Sequence, residues 1–209
     1  MREIWFAVLV GLTLAGASPA FAQAPPLVDT SALAVTGEDR VLGKPDAPIT
    51  IIEYASLSCP HCAHFETEVL PKLREKWIDP GKVKLVLRAF PLDEAALRAE
   101  MVARCAPAER YFPLVETLFE TQDKWVVAKD WHAALERIAR LSGMGKKEFD
   151  TCLGDKALED QVAQSRLTAA QQLDVNSTPT FFINGTKYDG DPTFEAFDKL
   201  LSGMAGQKS

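Results

Sequence analysis

Cys59-Pro60-His61-Cys62 is the segment whose residue types and spacing speak most directly of chemistry. Two thiols this close can close and reopen a disulfide, or they can ligate a metal. The β-branched run Ile49–Tyr54 precedes the segment, and Phe65, Val69, Leu73 and Trp77 recur every four residues after it. The four residues are therefore expected where a strand hands over to a helix. A thiol at a helix start meets unpaired backbone N–H groups and the positive end of the macrodipole, which favour the anion. An ordinary thiol ionises near pH 8.5; lowering that by about three units would make it mostly thiolate, a stabilisation of roughly 4 kcal/mol.

The roles then follow from position. Cys59 is expected to be the exposed sulfur that enters a mixed disulfide, and Cys62, one turn into the helix, its buried resolving partner. Pro60 suits the first helical position because it has no N–H to leave unpaired. His61 can add a hydrogen bond or positive charge. A stabilised thiolate favours the reduced form, so the disulfide becomes a better oxidant. Zinc is the competing reading, with Cys59, His61, Cys62 and His64 as nominal ligands. Structural zinc sites usually draw on two separated ligand pairs, and here His61 lies between the cysteines, so no metal is assigned. A purely structural bond across two residues would constrain little of the unfolded chain.

A second element is Thr178-Pro179-Thr180, at the start of the strand-like run Thr180–Ile183. Proline before a central strand is awkward with a trans bond, and a cis bond would leave the Thr178 backbone free to pair with an extended substrate. On local sequence alone a trans proline opening the strand is the more common arrangement, cis being the minority isomer.

The elements that must hold these residues read in order along the chain. Met1–Ala22 has a charged start, a short apolar stretch and the small-x-small site Ala20-Phe21-Ala22, the pattern of a secretory signal cleaved after Ala22. Residues 23–39 read as a loose arm containing Pro25-Pro26. From Arg40 to Phe90 a strand, a helix and a second strand (Val83, Leu85, Val86, Leu87) form a β-α-β unit whose strands should pair in parallel. Pro71 falls inside the helix, where a kink is expected. Residues 91–173 carry helical period throughout, with apolar faces such as Leu97/Met101/Cys105 and Phe149/Cys152/Leu153. Thr180–Ile183, Asn184-Gly185 and Thr186–Tyr188 read as a hairpin, since Asn-Gly tolerates positive φ at both turn positions. A last helix over Thr193–Leu201 follows. The fold class is α/β: a thioredoxin-like sheet over 40–90 and 174–203, interrupted by an all-helical insertion.

These motifs in this order resemble DsbA-type thiol:disulfide oxidoreductases over nearly all of Arg40–Leu201. The resemblance implies a periplasmic enzyme with a cis bond at Pro179. It implies folding exported proteins as clients and reoxidation by a quinone-linked membrane partner of the DsbB type. It also places a buried acid at Glu53, six residues before Cys59, handling protons for Cys62; a Glu at a solvated strand end is the plainer reading. Two features depart from the best-known enteric member. Thr178 replaces its Val, bringing a hydroxyl that could hydrogen-bond the site sulfur. Cys105 and Cys152 form an extra pair on apolar helix faces, read as a structural disulfide that would stabilise by roughly 4 kcal/mol in the chain-entropy model. Two free buried cysteines are the alternative.

Composition narrows the field further. A net charge of −6 with no dense Lys/Arg cluster argues against nucleic acid, and an apolar fraction of 47% is ample for a core. No cofactor is implied, and His132 beside Trp131 reads as a surface residue. A disulfide isomerase or reductase would share the same site, but isomerase relatives carry an N-terminal oligomerisation domain; the short arm favours a monomer. A metal-binding or holdase-like carrier is the remaining alternative.

Overall fold

The structure, a computed structural model, describes residues 30–206. The proposed signal segment and the first part of the arm lie outside them. Five strands form one sheet in the order β1 (Arg40–Leu42), β3 (Val83–Ala89), β2 (Ile49–Ala55), β4 (Thr180–Ile183), β5 (Thr186–Tyr188). Strands β2 and β3 pair in parallel, as the β-α-β reading requires, and the other pairings are antiparallel. Both central strands are buried at every position but one, which explains their nearly continuous apolar sequence. The hairpin turn has φ of 47° at Asn184 and 85° at Gly185, the primed geometry that Asn-Gly favours.

The sheet is covered on both faces. On one, Ile51, Leu85 and Phe181 pack against Phe65, Leu73 and Trp77 of the first helical stretch and against Phe197 and Leu201 of the last helix, α9 (Phe194–Gly206). Phe65 lies 4.6 Å from Phe181 and 5.7 Å from Phe197, ring centre to ring centre. Losing such a buried ring to alanine costs about 3–5 kcal/mol. On the other face, Ile52, Tyr54, Val86 and Phe182 meet Ala169 and Leu173 at the end of α8 (Lys156–Gln172).

The first helical stretch alternates: α1 (Pro60–His64), a π segment Phe65–Val69, α2 (Leu70–Leu73) and a second π segment Arg74–Ile78. The first π turn ends where Pro71 would otherwise withdraw an N–H from an α-helical ladder. The perturbation expected at Pro71 therefore takes the form of a π turn.

Between β3 and β4 stand α3 (Glu94–Cys105), α4 (Ala108–Glu120), α5 (Gln122–Trp125), α6 (Trp131–Leu141), α7 (Lys146–Leu153) and α8. They build their own core, in which small Ala96, Ala99 and Ala103 let α3 approach Tyr111, Leu118 and Phe149 closely. Cys62 and Leu87 belong to that same cluster, so the reactive segment sits on the seam between sheet and insertion. A disulfide joins Cys105 to Cys152.

The arm is less loose than its sequence suggests where it is described. Arg88, buried on β3, donates to the carbonyls of Ala32 and Ala34 and to both carboxylate oxygens of Asp39. A strand residue in the middle of the chain thus ties the arm down, which no local pattern in the arm announces. The short edge strand β1 likewise has no signature in the sequence, three residues being too few to display a period.

Candidate active site

Strand β2 ends at Ala55, and Ser56–Ser58 turn the chain into α1. Cys59 is the N-cap with extended backbone (φ −85°, ψ 120°), and Pro60 opens the helix. Cys59 N donates to Ser56 O at 3.0 Å, and Ala63 N donates to Cys59 O at 3.1 Å. The sulfur thus stands over the first turn, where the N–H groups of His61 and Cys62 favour its anion. The Thr178–Pro179 bond is cis and places Thr178 against the same sulfur: Cys59 Sγ donates to Thr178 O at 3.3 Å. From the insertion, Gln122 Nε2 donates to Leu57 O at 2.9 Å and to Cys59 O at 3.1 Å. Three segments far apart in sequence converge on one thiol.

Both thiols are free and both are covered. Cys62 has no exposed surface, as its place one turn into the helix leads one to expect, but Cys59 is only 5% exposed. That corrects the expectation of an exposed Cys59. Its thiol is turned onto the Thr178 carbonyl as a donor, and the loop before β4 closes over it.

The two thiols are driven in opposite directions. Cys59 is lowered to about 5, chiefly by the Cys62 thiol, against the cost of burial, with help from Thr178 and the backbone N–H groups of Cys62 and His61. Thr178 Oγ1 is buried without a hydrogen-bond partner in this dithiol form, which leaves its proton available to the sulfur on ionisation. Cys62 is pushed far above the thiol range by burial first, then by its bond to Cys59 and the nearby Glu53.

Glu53 is wholly buried, and neither of its carboxylate oxygens has a hydrogen-bond partner. It shares the sheet face of Ile51 and Ala55, the side on which Cys62 packs. Burial, followed by the carboxyl of Glu66, raises it well above the usual carboxylate range. Glu66, 8% exposed, is raised too, again mainly by burial. Such a pair retains a proton at pH values where ordinary carboxylates have lost theirs.

Residues 35–202 match the family model described as Thioredoxin. The solved structure of alpha-DsbA1 from Wolbachia pipientis superposes with a TM-score of 0.79 at 34% identity, covering 85% of this chain and 96% of that one. The chain belongs to the DsbA family. A Rickettsia bellii chain named as a protein-disulfide oxidoreductase is 32% identical over 167 residues, which take in 78% of this chain and 64% of that protein. The chain therefore spans a little under two thirds of the length of that relative. A protein-disulfide isomerase structure from Novosphingobium aromaticivorans matches with a TM-score of 0.70 at 25% identity, over 80% of this chain and 97% of that one.

Within this DsbA-family site the residues singled out by sequence are distributed unevenly. Cys59, Cys62, Thr178 and Glu53 come together, and Pro179 is half-buried beside them. Pro60 and His61 are exposed on the outer side of the turn, so His61 reaches the sulfur through its backbone rather than its ring. Cys105 and Cys152 lie in the insertion, packed with Ala89, Met101 and Val162. Among the described residues no group of three or more His, Cys, Asp and Glu side chains is arranged to hold a metal ion.

Two residues of the site escaped sequence reasoning. Glu66 lies four positions after Cys62, one helical turn along the same face, and that spacing was the available signal. Gln122 offered none, because its partners lie 63 and 65 positions away.

Proposed function

We propose that the chain is a dithiol oxidase of exported proteins, donating a Cys59–Cys62 disulfide to clients as they fold. The observation that carries this reading is the opposed titration of the two thiols, Cys59 lowered to about 5 and Cys62 raised. A client thiolate attacks Sγ of Cys59, and the Cys59–Cys62 bond breaks with its electron pair left on Cys62. Cys62 takes up a proton there, beside the protonated carboxyl pair of Glu53 and Glu66. The client's second thiolate then attacks the client sulfur of the mixed disulfide, and Cys59 leaves as a stabilised thiolate. The client has lost two electrons and the protein has gained them. Return to the disulfide needs an external oxidant, for which we infer a quinone-linked membrane partner of the DsbB type. The proposed location is the periplasm, after cleavage behind Ala22; a mature N-terminus at Gln23 in secreted material is the expected finding.

Equilibration with glutathione buffers tests the oxidase reading. The expected potential lies well above the roughly −270 mV of thioredoxin, and a value at or below that level removes the reading. An isomerase is the second reading, supported by the name of the Novosphingobium relative. It would be favoured by reactivation of a scrambled disulfide protein at rates exceeding the rate of dithiol oxidation.

A further inference from the structure

Gln122 is the first residue of α5 and is 7% exposed. Its anchorage is firm: Trp125, three residues on and 1% exposed, donates from Nε1 to Leu118 O at 2.8 Å, and Thr121 bonds back to Thr117 O. The side-chain amide has two hydrogens, and each is committed, one to Leu57 O at 2.9 Å and one to Cys59 O at 3.1 Å. The orientation of the amide is dictated by its surroundings. Turned over, it would set its oxygen against two carbonyl oxygens in a buried place.

Those two carbonyls bracket the turn that delivers Cys59. The Cys59 carbonyl also accepts from Ala63 N, so it is the first link of the helical ladder. Its direction fixes the peptide between Cys59 and Pro60 and, through it, the aim of the next N–H groups at the sulfur. Ser58 and Cys59 have local ties to Ser56 as well, and Leu92 N donates to Ser56 Oγ at 3.2 Å. Among the described residues Gln122 is the side chain from outside the turn that hydrogen-bonds its carbonyls.

We propose that Gln122 is a positioning residue through which the helical insertion holds the Cys59 peptide, keeping the first N–H groups of the helix trained on the reactive sulfur. This rests on the reading of Cys59 as the reactive thiol. It assigns the insertion a part in setting the reactivity of the site, in addition to covering it. Substitution that removes the two donors leaves Leu57 O without that partner and frees the Cys59 carbonyl to rotate. The sulfur then loses aligned donors, and the thiolate loses support relative to the thiol.

The test compares the full chain with Gln122→Leu and Gln122→Glu. The leucine removes both donors; the glutamate keeps the shape but sets an oxygen against two carbonyls. In each reduced variant the Cys59 thiolate is titrated by ultraviolet absorbance, and the equilibrium with glutathione is measured. The expected result is a rise in the Cys59 midpoint of about one pH unit. With it comes a roughly tenfold shift of the glutathione equilibrium towards the protein disulfide, about 30 mV for this two-electron couple. Gln122→Asn, which keeps the amide on a shorter stem, should fall between parent and leucine variant. A merely structural role would lower the melting temperature of oxidised and reduced protein alike and leave midpoint and equilibrium where the parent has them; that result overturns the proposal. If the leucine variant does not fold, the glutamate and asparagine variants decide by the same two readouts. The parent's own midpoint tests whether Cys59 is the activated thiol, whereas only the difference between parent and variant tests Gln122.

Discussion

Cys59 and Cys62 are separated by two residues at a helix start and are free thiols, whereas Cys105 and Cys152 are 47 positions apart on two helices and are joined in a disulfide. The surroundings differ as much as the spacing. The first pair is ringed by hydrogen-bond donors, a buried carboxyl and the Thr178 carbonyl, and its two members are shifted in opposite senses. The second is set among Ala89, Met101 and Val162, with Cys152 3% exposed. A short loop makes a bond that does little for the unfolded chain and is easily exchanged, and nearby donors stabilise its reduced form. A long loop closed within apolar packing makes a bond that restricts the unfolded chain and offers a poor leaving group. The two cysteine pairs of one chain thus differ in loop length and in the polarity of the immediate shell.

The largest expected effect separates the members of the first pair. Cys59→Ser should abolish dithiol oxidation altogether, while Cys62→Ser should accumulate mixed disulfides through Cys59 when incubated in an oxidising extract. Non-reducing gels read both, and equal capture by the two variants would break the assignment of nucleophile and resolver. Next comes the second pair. Cys105→Ala with Cys152→Ala should cost about 2–4 kcal/mol in urea unfolding and leave the Cys59 midpoint near the parent's. Mild reductant should open Cys59–Cys62 first, with Cys105–Cys152 reacting only after denaturation. Mass mapping of thiols under each condition checks the order.

A third effect is the pH dependence of the difference between reduced and oxidised protein. Cys59 ionises near 5 in the folded dithiol form and near 8.5 when unfolded. A depressed folded value contributes stability that is complete above the unfolded value and lost as pH falls through the folded one. Reduced protein should therefore gain on oxidised protein between pH about 5 and about 8.5, by at most about 1.4 kcal/mol per pH unit. The buried carboxyls Glu53 and Glu66 are present in both forms, but the Cys59 thiolate that helps to raise Glu53 is present only in the reduced one. Parallel unfolding profiles for the two forms would contradict the lowered thiol.

Much of this arrangement was legible in the sequence because the signals were local. Strand β2, the Cys59–Cys62 turn and the Asn184-Gly185 hairpin each carry their pattern within about ten residues, and the helical period of the insertion is equally self-contained. What escaped was set by tertiary contacts. The cover over Cys59 comes from Thr178, and the clasp on the arm comes from Arg88 of β3 acting on Ala32, Ala34 and Asp39. Gln122 belongs to the same class, for its role exists only once α5 has docked against the turn before α1. The family resemblance marked Glu53 as a buried acid, but its pairing with Glu66 needed the two elements to pack.

The smallest effect sharpens the account of the polar shell. Thr178→Val removes a buried hydroxyl that favours the Cys59 anion and has no other partner. The Cys59 midpoint should rise and the disulfide become less oxidising, by roughly 1.5 kcal/mol or less, the lower end for a bond to a charged group. A glutathione equilibrium on parent and variant reads it, and an unchanged value would remove Thr178 from the set of groups that tune the sulfur.

The central claim is that one thiol of the Cys59–Cys62 pair is an anion at neutral pH and the other is not. Ultraviolet titration of the reduced protein, with Cys105–Cys152 left closed, tests it directly. A single ionisation with a midpoint near 5, absent from Cys59→Ser, is the expected result. A midpoint near the ordinary thiol value of about 8.5, or two thiols ionising together, would contradict the account.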